Sequence, residues 1–298
     1  MRNHRHTLIA EDGTRIAWDV AGGPAAPKGP TAPPLLLCNG LITNTIFWRE
    51  LLPDLEARHR VITWDLKGHG DSGPARSAGG ATIEAAAGDA LAVLDAAGES
   101  EAIVIGYSMG CQVAAAMHRR APTRVRGLGF VLGPVGPVFG TAFGPFGPVL
   151  GAVTRATHPR ALMALLHTLS RVGAPPFGHW AASRLGLIGP TMAPDDLEGI
   201  LAHWRQLHGP TVRRLALDAG TFDARPHLAE VRVPTLILCG DRDVFAPPAK
   251  VALPMRAAMP HASFVRLPHG THSSTLEHTD DVRAALLEFL AGIDARPR

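Results

Sequence analysis

A mostly parallel α/β sheet, with helices on both faces and one large helical insertion, is the fold class this sequence predicts. Three observations carry that expectation. Short apolar runs alternate with helical patterns, as in chains whose strands are joined by helical crossovers. A Gly-x-Ser-x-Gly turn, Gly106-Tyr107-Ser108-Met109-Gly110, stands between one such run and one such helix. Finally, the alternation stops between Leu132 and Pro234, a stretch too long for a loop.

The first segments, Thr7-Leu8-Ile9-Ala10 and Thr14-Arg15-Ile16-Ala17-Trp18-Asp19-Val20, meet at Asp12-Gly13 and read as a hairpin. Residues 21–34 are rich in Gly and Pro and read as a surface connector. Runs at 35–38, 61–64, 102–105, 127–132 and 235–239 are continuously apolar, the pattern of strands buried on both faces. A last strand is expected at 262–267. Helical patterns cover 82–97, where Thr82 can cap the start and Gly98 can stop the end, and 111–117 after the serine turn. The final helix, 280–290, places Val282, Leu286, Leu287 and Leu290 on one face. Within the insertion, 160–171 and 195–207 read as helices and the rest as irregular. The expected organisation is a first core part at 1–133, a helical cap at 134–229 and a second core part at 230–298. The cap should lie over the C-terminal sheet edge, where open α/β sheets bind ligands.

Composition narrows the function classes. At 46% hydrophobic and 18% charged residues over 298 positions, the chain can bury a large core. A net charge of +3 could point to nucleic acid, but the arginines are scattered and only Lys28, Lys67 and Lys250 are lysines. No clustered basic footprint exists, so a nucleic-acid partner is not expected. Cys38, Cys111 and Cys239 are odd in number and end apolar runs, which favours buried free thiols. The N-terminal residues lack an apolar signal core, so a cytoplasmic location is expected. Residues 127–154 carry no charge and are long enough to span a bilayer, yet Pro134, Pro137, Pro145 and Pro148 break any continuous helix. No transmembrane segment is expected. Zinc-type Cys/His spacing, a dinucleotide fingerprint and a P-loop are all missing, so neither metal nor nucleotide cofactor is indicated.

The chemistry starts at Ser108. A serine hydroxyl is a poor nucleophile at neutral pH and needs a base, which needs an orienting acid. His272, in the loop after the last strand, is favoured as base over His269. Asp243, in Cys239-Gly240-Asp241-Arg242-Asp243, is favoured as acid over Asp241, which is better placed to bond local amides. The other location for an acid, after 127–132, offers only Gly133-Pro134-Val135 and no carboxylate. The chain order Ser108, Asp243, His272 is that of a nucleophile-elbow enzyme. A tetrahedral oxyanion wants two donors. Met109 N–H supplies one, and the loop Asn39-Gly40-Leu41-Ile42 should supply the other, with Leu41 first and Ile42 second. His69 and Asp71, in Asp65-Leu66-Lys67-Gly68-His69-Gly70-Asp71-Ser72, read as parts of a structural turn.

Together, Asn39-Gly40, Asp65-x-Lys67-Gly68-x-Gly70-x-Ser72, the serine turn, Gly240-x-x-Asp243 and Gly-Thr-His272 resemble the α/β-hydrolase fold superfamily, in its capped, esterase- and lipase-like group. The resemblance covers nearly the whole chain. It departs from the usual pattern at Asn39, where His is common, and at Lys67, where Arg is common. It implies an eight-stranded sheet, a small-molecule ester substrate and no cofactor, and it admits a homodimer. Its rivals are C–C bond or enol-lactone hydrolysis by the same groups, and a non-catalytic ligand-binding receptor. Phe139, Phe143, Phe146, Met163, Leu165, Leu166, Phe177, Trp180 and Trp204 are the expected pocket or cap-core residues.

Overall fold

Continuous apolar runs become the inner strands of a single eight-stranded sheet in the computed structural model, which describes residues 5–23, 32–142, 147–172 and 176–295. The strands are β1 (His6–Ile9), β2 (Arg15–Gly22), β3 (Leu35–Cys38), β4 (Arg60–Trp64), β5 (Ala102–Tyr107), β6 (Val125–Val131), β7 (Thr235–Gly240) and β8 (Ser263–Leu267). Their order is β1-β2-β4-β3-β5-β6-β7-β8. Strand β2 runs antiparallel to both neighbours, and every other pairing is parallel.

Eleven α-helices are described: α1 (Leu52–Glu56), α2 (Ile83–Ala96), α3 (Gly110–Arg120), α4 (Gly147–Ala156), α5 (Pro159–Val172), α6 (Pro176–Arg184), α7 (Pro194–Trp204), α8 (Gly209–Ala219), α9 (Ala252–Ala258), α10 (Ser274–Glu277) and α11 (Thr279–Asp294). Side chains of successive strand residues point to opposite faces. Leu36, Cys38, Ile62, Trp64 and Val104 therefore pack with α2 and α3, while Leu35, Leu37, Val61, Ile103, Ile105 and Tyr107 pack with α1 and α11. Both faces are covered, which is why these runs show no polar alternation.

Local signals place the ends. Thr82 Oγ1 accepts the Ala85 N–H at the start of α2. Gly98, at φ +75°, closes it, with Glu99 N–H donating to Leu94 O and Gly98 N–H to Asp95 O. Lys67 is buried with its ammonium 3.1 Å from both Asp12 and Asp89, joining the β1–β2 turn to α2. Burial opposes ionisation at Asp12, but bonds from Thr14 and Lys67 bring its pKa down to about 2. At the deeper Asp89 burial wins over Lys67 and raises the pKa to about 6.

Among the described residues between β6 and β7 lie only helices and turns, α4 to α8. Three of these helices, α4, α6 and α8, stand where the sequence was expected to be irregular, and α1 and α9 add helices in the core that the sequence pattern did not single out. Each is rich in Gly or Pro, or is short; Pro176, Pro194 and Pro210 sit in the first turn of their helices, where a missing N–H costs nothing. The helix expected at 195–207 stops at Trp204, and the strand expected at 127–132 starts two residues earlier. The connector at 21–34 falls largely outside the described residues, as do Lys28, Phe143, Phe146 and the Phe177 side chain. Among the described residues no helix is long and apolar enough to cross a membrane.

Candidate active site

The serine turn is built by close approach. A Cβ on Gly106 would meet Gly110 O at 2.3 Å, and one on Gly110 would meet Cys38 O at 2.1 Å. Only glycine lets β5 turn this sharply into α3 while lying against β3. Ser108 sits at φ +55° with its N–H donating to Val131 O at 3.0 Å. A strained non-glycine residue at such a turn persists only where its surroundings over-determine it.

Two loops from other strands reach this serine. His272, after β8, has Nε2 2.9 Å from Ser108 Oγ and Nδ1 2.9 Å from Asp243 Oδ2. Asp243, after β7, is buried, and its Oδ1 accepts the Phe245 and Ala246 N–H groups at 2.8 and 2.9 Å. With one carboxylate oxygen held by two amides, the other is aimed at His272. An imidazole donating Nδ1–H to that oxygen leaves Nε2 free to accept the serine proton. Tyr107 OH donates to His272 O at 2.7 Å, and the Phe245 ring lies 4.7 Å from the imidazole. The competing residues lie elsewhere: Asp241 pairs with Arg266 at the surface, and His269 is an exposed residue at φ +60°.

The loop after β3 lies alongside. Gly40 packs against the Ser108 side chain. Ile42 N–H is already used, donating to His69 Nε2 at 3.1 Å, which takes it out of contention as an oxyanion donor. Among the described residues neither Leu41 N–H nor Met109 N–H has a protein acceptor. Asn39 bridges two neighbours: Nδ2 donates to Trp64 O and Oδ1 accepts Trp48 Nε1–H, at 3.1 and 2.9 Å. The departure from the family's usual residue at this position thus leaves the loop anchored.

The Asp65–Ser72 stretch is the expected structural turn, with Ser72 Oγ donating to Asp65 O and Asp65 Oδ2 accepting Asp71 N–H. What the sequence reading missed is the reach of His69 to the neighbouring loop. Glu277 was missed as well. It accepts Thr271 Oγ1–H from the histidine loop and Gly189 N–H from the segment before α7, and burial raises its pKa. No sequence signal marks the bonds that His69 makes to Ile42 over 27 positions and Glu277 to Gly189 over 88. Of the expected pocket residues, Leu166 is buried with Leu207 and Val212, and Met163 and Trp204 pack on that cluster together with Leu41 and Ile42. Leu165 and Trp180 instead face solvent, and the Phe139 ring lies against Gly151 and Gly220. Among the described residues no cluster of three metal-ligating side chains occurs.

Known proteins share this arrangement of chain. A family model described as alpha/beta hydrolase fold matches residues 33–152. The dihydrolipoyllysine-residue acetyltransferase component of the acetoin cleaving system from Cupriavidus necator is 30% identical over 288 residues, covering 94% of this chain and 68% of that protein. The chain belongs to the α/β-hydrolase fold family. The chain is also 29% identical over 266 residues to a protein named as a carbamate hydrolase, RutD, from Azorhizobium caulinodans, covering 88% of this chain and 92% of the relative. The solved esterase RhEst1 from Rhodococcus sp. ECU1013 superposes on the chain with a TM-score of 0.74 at 23% identity, covering 97% of this chain and 98% of that one.

Proposed function

We propose that this hydrolase cleaves carboxylic esters with an uncharged, lipophilic acyl or alcohol group, through Ser108, His272 and Asp243. The observation that carries the reading is the unbroken hydrogen-bonded chain from Ser108 Oγ through His272 to a buried, amide-held Asp243. Ser108 Oγ attacks the carbonyl carbon as His272 Nε2 takes its proton, and the carbonyl π electrons move to oxygen. The Leu41 and Met109 N–H groups receive that oxyanion; losing one such donor costs about 3 kcal/mol of barrier. Collapse expels the alcohol, which takes the proton from His272. Water then enters by the same route in reverse roles, releasing the acid and regenerating Ser108. Met163, Leu166 and Trp204, packed around the oxyanion loop, are the wall proposed for the lipophilic group, and α4 to α8 form the proposed cap.

The test is covalent labelling by a fluorophosphonate, expected in the native hydrolase and lost in Ser108→Ala. Folded native protein that does not label overturns the reading and favours a non-catalytic receptor. Rates on p-nitrophenyl esters of increasing chain length should rise from acetate toward medium chains. A second reading, carbamate hydrolysis by the same groups, is favoured by the 29% identity to the RutD protein over 92% of its length. An N-alkyl p-nitrophenyl carbamate turned over faster than the matching ester selects it.

A further inference from the structure

The turn that carries Leu41 has every one of its peptide planes held by a different partner. Gly40 O accepts from Thr43 Oγ1–H at 3.0 Å and from Thr43 N–H at 3.4 Å. This fixes the Gly40–Leu41 plane, and in a trans peptide the Leu41 N–H points opposite to that carbonyl. His69 fixes the next plane by accepting the Ile42 N–H. An amide can only donate, so His69 Nε2 carries no proton, and Nδ1–H donates to Lys67 O at 3.0 Å. Trp204 fixes the third, its indole Nε1–H donating to Ile42 O at 3.1 Å. Ile42 itself sits at φ +55°. That left-handed conformation is costly for a β-branched residue, and a turn containing it relaxes unless held.

Two of the three restraints come from the core, on the loops after β3 and β4. Trp204 does not: it is the last residue of α7, 162 positions beyond Ile42 in the chain. Its ring also packs with Met163 on the cluster of Leu166, Leu207 and Val212. We propose that Trp204 is a positioning residue, through which the α5–α7–α8 helices set the aim of the Leu41 N–H at the oxyanion. This deepens the proposed ester hydrolysis and rests on it. It makes the helical segment part of the catalytic geometry as well as a wall for substrate. The restraint acts where the developing charge sits, so it governs the transition state more than ground-state binding.

Trp204→Phe removes the N–H and keeps most of the ring's volume. It is expected to lower kcat about tenfold, within the range that misplacement by about an ångström produces, with KM changed less than about twofold. An alkyl boronic acid, which forms a tetrahedral adduct on the serine, should lose affinity by the same factor as kcat. Melting temperature and circular dichroism of the variant verify that it is folded. An unchanged kcat and boronate affinity overturns the inference. A raised KM with unchanged kcat also overturns it, leaving Trp204 as a pocket wall only. Ser108→Ala, assayed alongside, separates the two levels. If Ser108→Ala still turns over ester, the proposed mechanism itself falls. If Ser108→Ala is dead while Trp204→Phe behaves as native, only the positioning role falls.

Discussion

The sheet and the helical segment between β6 and β7 are stabilised to different degrees by apolar burial. Strands β5 and β7 are buried at every residue and flanked by two large apolar clusters. The helical segment has a small cluster of its own around Leu166, Leu207 and Val212, and α7 joins the sheet's second cluster through Leu197, Ile200 and Leu201. Six of the eight exposed large apolar side chains among the described residues, Val149, Val153, Leu165, Leu169, Trp180 and Leu185, lie within it. No Asp or Glu occurs between Glu101 and Asp195; past that stretch Arg205 pairs with Glu198 and Arg225 with Asp223, while other ties run to carbonyls or to incoming acids. Arg213 donates to the Thr154 and Thr157 carbonyls, Gly189 is held by Glu277, and Trp204 reaches Ile42. The sheet thus fixes Ser108, Asp243 and His272 by bulk packing, which no single bond controls. The helices are attached through that apolar contact of α7 and through a few named polar ties, each of which a single substitution can weaken.

The largest expected effect tests the rigid half. Asp243→Asn should lower kcat by about 10⁴-fold, since the amide disfavours the imidazole tautomer that accepts from serine. Thermal stability should change little, because Asn keeps a carbonyl oxygen for the Phe245 and Ala246 amides. A loss under tenfold in steady-state ester hydrolysis would remove Asp243 from the proposed mechanism. Next comes the buried ammonium of the core. Lys67→Met leaves Asp12 and Asp89 facing each other without a cation and should destabilise the fold by about 3–5 kcal/mol. Urea unfolding followed by circular dichroism measures this, and a cost below about 1 kcal/mol would show that the core does not depend on the pair.

A pH dependence probes the contact between the halves. His203 on α7 is buried beside His69, ring centroids 5.8 Å apart, and burial together with that neighbour lowers its pKa to about 4. Between pH 6.5 and about 4 the unfolded chain therefore binds a proton that the folded one refuses, so this residue makes stability fall as pH drops through that window. Asp89, raised to about 6, acts in the opposite sense above the ordinary carboxylate range. The difference in melting temperature between native protein and His203→Phe isolates the histidine: it should widen in the variant's favour as pH falls, and a constant difference refutes the assignment. The smallest effect belongs to the exposed face. Leu165→Ser combined with Leu169→Ser should shift stability by less than about 0.5 kcal/mol per site while raising solubility. A large loss of stability would mean that these side chains are covered by something else in solution.

Much of the site was legible in the sequence because its parts have local signatures. The glycines around Ser108, the carboxylate two residues beyond Asp241, and the Gly-Thr-His segment each follow an apolar run whose end marks the sheet edge. The hairpin at Asp12-Gly13 and the α2 ends at Thr82 and Gly98 were legible for the same reason. Helices α4, α6 and α8 were not, since Gly and Pro at their first turns look like loop residues until packing selects the helix. Leu165 and Trp180 could not be told from pocket residues, because hydrophobicity does not say which way a helix is turned.

By itself the sequence determined the α/β alternation, the serine turn and the order of the loops that meet there. These depend on steric and burial rules acting over a few residues, and such rules leave a pattern in the chain. Only the tertiary structure decided that Asp243 is held by the Phe245 and Ala246 amides as it meets His272, that Ile42 N–H is consumed by His69, and that Trp204 closes the turn around Leu41. The bonds made by His272, His69 and Trp204 join positions between 27 and 162 residues apart. A hydrogen bond across such separations is set by how whole elements pack, and no local run of residues encodes it.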